Sequence, residues 1–147
     1  MYKRLSSTIP VLLMFVPALA SAQRVPDPER AAVAEVITSL GEYFQARDMS
    51  GAEALFRSGG LHILTDDATT HGWAEYRDQH LRPELDAIGS LDYAHTRVEP
   101  TVRGIVAWAS FRREISGSGT MQEEGRGTAV LEKVDAKWTI VHLHMSR

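Results

Sequence analysis

After Gly89 the chain changes its hydrophobic period. Upstream, apolar residues recur at helical spacing; from Leu91 to Met145 they recur at every second position. Successive side chains on a strand point to opposite faces, so alternation marks strands with one face buried. The runs Leu91–Pro100, Ile105–Ile115, Met121–Val134 and Lys137–Met145 read as four long strands. Gly117-Ser118-Gly119 and Asp135-Ala136 are the turns between the last three. Long consecutive strands with short turns predict an antiparallel meander. Its apolar face must be covered by another layer.

That layer lies upstream. Asp27-Pro28-Glu29 is a helix start, with Asp as N-cap, Pro at the first position and an acid in the first turn. Val33, Val36, Ile37, Leu40 and Phe44 follow at helical spacing to about Ala46. A short helix restarts at Asp48-Met49-Ser50 and runs through Ala52, Leu55 and Phe56 until Ser58-Gly59-Gly60 stops it. Leu61–Leu64 is a short strand, Asp66-Asp67 a turn, and His71 a loop residue before Gly72. Gly72 to about Ile88 is a third helical stretch. Pro83 predicts a break or kink near Arg82, because the residue before a proline resists the α conformation. Helices first and a meander last predict α+β: a cone-shaped α+β barrel, N-terminal helices packed on a strongly curved, mostly antiparallel sheet.

The chain has 147 residues, the length of one domain. Residues 1–22 read as a signal peptide: Lys3 and Arg4 form the basic region, Ile9 to Leu19 the apolar region, and Ala20-Ser21-Ala22 the cleavage site. The apolar run is shorter than the ~20 residues a spanning helix needs. Residues 23–147 are then the single mature domain, periplasmic or secreted, with no stable membrane insertion. A net charge of −3 and a pI near 6.1 leave no basic footprint for nucleic acid. The absence of cysteine excludes a disulfide scaffold, a zinc finger and a thiol nucleophile.

All six histidines follow the leader. On the last strand the even positions share a face, so Trp138, Ile140, His142 and His144 point one way. The two imidazoles then stand ~6–7 Å apart at Cα, given the strand rise. That spacing suits two ligands of one metal or a paired acid–base site, so His142 and His144 are candidate catalytic residues. Trp73, Tyr76, His80 and Glu84 form a second set, one stripe of a continuous helix. His80 and Glu84 with His142 and His144 make a candidate set of nitrogen and oxygen ligands for zinc or copper(II). Trp108 and Arg112 share a face of one strand, and Thr128 lies with Arg126 on the next. Arg112 either clamps an anion or pairs with Glu124 or Glu132 across the sheet. Trp73, Tyr76, His80, Trp108, Arg112 and Thr128 are the candidate ligand-binding residues.

Three stretches carry a family resemblance: Ala46-Arg47-Asp48-Met49-Ser50-Gly51-Ala52 after the first helix, Gly72-Trp73-Ala74-Glu75-Tyr76 onward to Leu85, and the terminal Trp138-Thr139-Ile140-Val141-His142-Leu143-His144. The chain resembles the nuclear transport factor two-like superfamily in its SnoaL-like branch. The resemblance implies a curved sheet wrapped around a helix, a pocket at the open end of the cone, and dimerisation through the outer sheet face. It implies no single activity, since members include isomerases, cyclases, dehydratases, hydrolases and binding proteins. The ending is distantly similar to the His-His-His-Ser-Ser run of iota-class carbonic anhydrases, with Leu143 and Met145 in place of a histidine and a serine. The sequence therefore supports a module binding a small molecule in a cone pocket, a zinc or copper site, or a small lyase, isomerase or hydrolase using a pocket histidine. A structural or partner-binding domain is the plainest alternative. Rings of His142 and His144 on the solvent side of the sheet would end the reading of a metal held by His80, Glu84, His142 and His144.

Overall fold

The computed structural model describes residues 27–118 and 120–147. The expected leader and its cleavage point lie outside the described residues, as does Gly119 of the expected turn.

Helix α1 (Pro28–Ala46) begins where expected: the Asp27 carboxylate accepts the Glu29 N–H at 3.0 Å. It ends at Arg47, whose φ of 56° stops helical propagation. Val33, Ile37, Leu40 and Phe44 form its buried stripe. Helix α2 (Met49–Glu53) is capped by Asp48, which accepts the Gly51 N–H. It is shorter than expected, because Leu55 and Phe56 leave the helix to lie along the sheet. The Ile140 N–H donates to Leu55 O at 2.8 Å, and the Arg57 N–H donates to Ile140 O at 3.0 Å. Strands β1 (His62–Leu64) and β2 (Thr69–His71) pair as a hairpin, so His71 is a strand residue and not a loop residue.

Helix α3 (Trp73–Tyr76), a π-helical turn (Arg77–Leu81) and helix α4 (Arg82–Ile88) follow without a break. Pro83 has no N–H for an ordinary helical bond, and the chain answers by inserting a wider turn just ahead of it. The Arg82 N–H reaches back five residues to Arg77 O. The expected break near Arg82 is thus replaced by a π turn, which keeps Trp73, Tyr76, His80 and Glu84 on the inward side: the first two are buried, the last two half-buried.

Strands β3 (Leu91–Arg103), β4 (Val106–Gly117), β5 (Gln122–Val134) and β6 (Lys137–Ser146) form the expected meander. The six-stranded order is β2-β1-β6-β5-β4-β3, and only the β1–β6 pair is parallel. The sheet curls around α1 to give the cone. Its inner face carries Tyr93 and His95 of β3, Ala107, Ala109, Phe111, Arg113 and Ile115 of β4, and Ala129 and Leu131 of β5, all buried. Gly127 faces inward where Phe111 needs room: a Cβ there would sit 2.1 Å from the Phe111 ring. Gly41 of α1 is pressed on β3: an added Cβ would sit 2.7 Å from the His95 backbone nitrogen.

Two bulges change the phase of the alternation. In β3 the register slips between Thr96 and Glu99, with Arg97 at φ 50°. In β6, Val130 pairs with His142 but Leu131 pairs with Ile140, leaving Val141 as the extra residue. An extra residue turns every side chain beyond it to the other face. Trp138 and Ile140 point inward before the bulge; Leu143 and Met145 do so after it. Among the described residues no helix is long and apolar enough to cross a membrane.

Candidate functional site at the mouth of the cone

The helical run Trp73–Ile88 lies over the open end of the cone, and a cleft of about 250 Å³ opens beneath it. Tyr76, His80 and Glu84 line it from the helical run, Arg113 from β4, Met145 from β6 with Arg147 just beyond it, and Thr65, Asp66 and Asp67 from the β1–β2 turn. The π turn sets the helical residues: Tyr76 and His80 stack with ring centroids 6.3 Å apart and planes inclined by 21°.

Arg113 is the unusual member. It is buried at 8% exposure on a strand face otherwise made of Ala107, Ala109, Phe111 and Ile115. A buried guanidinium is tolerated only when paired. Arg113 donates to Glu123 and lies 3.9 Å from Glu84, while its Nε has no partner among the described residues. Arg147 continues the chain of charges, 3.6 Å from Glu123, and its backbone N–H donates to Asp66 at 3.0 Å. Burial pushes the Glu84 carboxyl up from its ordinary range, and the Arg113 charge only partly offsets that. Burial also holds the Tyr76 phenol well above its ordinary value, so it stays a neutral hydrogen-bond donor.

Deeper in the cone, Tyr93, His95 and Phe111 pack together, with His95 and Phe111 centroids 4.4 Å apart. His95 Nδ1 lies 2.9 Å from Ile37 O. Burial lowers the imidazole pKa to about 4, so the ring is neutral near pH 7 and Nδ1–H donates to that carbonyl. Among the described residues its Nε2 has no partner, nor has Trp73 Nε1. Trp73 is core: it stacks on Phe56 at 4.9 Å below the helix and does not line the mouth.

The expected residues therefore divide. Tyr76, His80 and Glu84 meet at the mouth. His142 and His144 do not, because the Val141 bulge turns both to the outer face, where His144 is exposed and His142 half-buried. The sheet stands between them and the His80–Glu84 pair, which corrects the expectation of a shared metal or catalytic site. Among the described residues no group of three or more histidine, aspartate or glutamate side chains stands as a ready cage for a metal ion. Trp108, Arg112 and Thr128 are corrected likewise. Trp108 is 44% exposed on the outer face, and Thr128 shares a shallow outer cleft with it. Arg112 pairs with Glu124 at 3.5 Å, the second of its two expected uses.

Sequence reasoning missed Arg113, Glu123, Tyr93 and Arg147. A signal for Arg113 was present: in Ala107-x-Ala109-x-Phe111-x-Arg113-x-Ile115 one charge interrupts an apolar face. A charge on the core face must be paired or used.

A family model for the SnoaL-like domain matches residues 33–147. Solved structures agree in fold. A dehydratase candidate of the nuclear transport factor two-like family from Streptomyces avermitilis superposes with a TM-score of 0.71 at 16% identity, covering 83% of this chain and 97% of that one. A ketosteroid isomerase candidate from Shewanella frigidimarina gives 0.68 at 18% identity, covering 78% and 94%. A nuclear transport factor two-like superfamily protein from Salmonella enterica gives 0.71 at 19% identity, covering 80% and 89%. No curated protein matches the chain.

Proposed function

The chain belongs to the SnoaL-like domain family, and from that premise we propose that it binds a small, uncharged, oxygen-bearing molecule at the mouth of the cone. The observation that carries this reading is the buried Arg113 among Tyr76, His80 and Glu84, at the edge of an otherwise apolar interior. Both arginines of the mouth are already matched by carboxylates. An anion would have to displace one of them, whereas a carbonyl or hydroxyl needs only the Tyr76 and His80 donors and the Glu84 acceptor. The Tyr76 ring and the Met145 side chain, which line the same cleft, offer apolar contact to the rest of such a molecule.

A thermal-shift panel of small ketones, lactones and alcohols tests this on the full chain. A ligand at about 100 times its Kd adds about 2.7 kcal/mol of stability. Tyr76→Phe and Glu84→Gln should weaken the shift and Trp108→Ala should leave it. Equal shifts in all three variants would overturn the reading.

One observation favours a second reading, an enzyme. Glu84 has the raised pKa of a proton-transfer group and lies in the same cleft as the Tyr76 phenol. Glu84 would take a proton from the carbon beside a carbonyl while Tyr76 donates to the enolate oxygen that forms. An isomerisation or dehydration has this first step. Deuterium exchange from solvent into a bound ketone, lost in Glu84→Gln even at ketone concentrations that saturate the variant, is its signature.

The remaining elements of the proposal concern setting. The leader-like segment 1–22 supports export, and a mature chain from Gln23 in the periplasm or outside the cell. The outer sheet face around Trp108, Val106, Val130 and Val134 supports a homodimer, since Val106, Trp108 and Val134 are apolar and exposed there.

A further inference from the structure

Four of the six histidines gather on the outer face, remote from the mouth. Strand register puts them there. His71 of β2 pairs with His62 of β1, and His62 is level with His142 of β6. Registered partners share a face, and the alternate residues Thr70, Ile63 and Leu143 are buried on the other. The three imidazoles thus make one row across adjacent strands spaced ~4.8 Å apart. His144 follows His142 along β6.

The His62 and His71 rings already meet, with centroids 4.8 Å apart and planes at 86°. Both side chains are exposed, so they turn on a timescale of ps to ns. The Glu75 carboxylate is fixed at the same edge by the His71 N–H at 2.8 Å, which adds negative charge beside the pair. A groove of about 500 Å³ opens against His62, His71 and Glu75, so a hydrated cation has access.

We infer that His62, His71 and His142 form a surface site for a divalent transition cation of the zinc or copper(II) class. Imidazole nitrogen is the preferred ligand of these ions, and three such ligands with water complete a tetrahedral zinc. His62 and His71 supply the first two positions, and rotation of the His142 ring supplies the third. The bound ion would tie the two three-residue strands β2 and β1 to β6, where the sheet is otherwise held by the fewest backbone bonds.

The test is a zinc titration of the full chain, followed by calorimetry and melting temperature. One zinc per chain, with micromolar or tighter affinity and a raised melting temperature, is expected. His62→Gln, His71→Gln and His142→Gln should each weaken binding by roughly tenfold or more. His80→Gln, at the mouth, should bind as the unmodified chain does. Zinc-free melting temperatures of the variants check that each is folded. No binding below about 100 µM, equal affinity in the His62 and His71 variants, or loss in His80→Gln instead would overturn the site.

Discussion

Arg113 and His95 show how differently two buried polar residues behave. Arg113 can be buried as a charge because Glu123 and Glu84 lie beside it and offset its desolvation. His95 gives its charge up, since it has one carbonyl to donate to and no counter-ion. Each makes a prediction. Replacing Arg113 with Met removes the charge that holds the Glu84 carboxyl down, so the Glu84 pKa should rise further; carbon-13 NMR of the glutamate carboxyls would read it. His95 has a folded pKa of about 4 against 6.5 for the free group. Between these values the unfolded chain binds the proton and the folded chain does not. Stability is therefore full above pH 6.5 and is lost as pH falls toward 4, by about 3 kcal/mol in total. Urea unfolding across that window should show the loss, and His95→Leu should remove this share of the slope.

At the scale of elements the informative features are irregularities. The Val141 bulge decides what faces the cone. The π turn decides that Pro83 does not split the helix. The β5–β6 turn has positive φ at both Asp135 and Ala136, 48° and 65°. Glycine is the natural second residue of such a turn. Ala136→Gly should therefore stabilise the protein by about 0.5–1 kcal/mol, the cost of holding an L-residue there. Gly127→Ala should do the reverse. Its methyl meets the Phe111 ring, which is buried and has nowhere to move, so a loss of about 1–3 kcal/mol or more is expected in chemical denaturation.

Across the whole molecule the sheet separates two chemistries. Its inner face and the helix over it make the cleft with Arg113, Tyr76, His80 and Glu84. Its outer face carries the exposed apolar patch at Trp108 and, on the far strands, the histidine row. A homodimer through the patch predicts that Trp108→Glu yields a monomer in analytical ultracentrifugation. The cone site lies on the other face, so ligand-induced stabilisation should survive in that monomer.

Hydrophobic period and end signals alone settled much of this protein. They located α1, the four meander strands, the turn at Asp135-Ala136 and the α+β class, because helix and strand repeats are local properties of the chain. They also placed Tyr76, His80 and Glu84 on one stripe. What local pattern could not decide was phase. From Trp138 and Ile140 to Leu143 and Met145 the apolar series shifts from even to odd positions, but a shift acquires meaning only when a neighbouring strand fixes the register. That pairing moved His142 and His144 out of the cone. Tertiary packing likewise brought Glu84, Arg113, Glu123 and Arg147 together from four separate segments of the chain, since a buried charge can stay in the cone only where its partners converge on it.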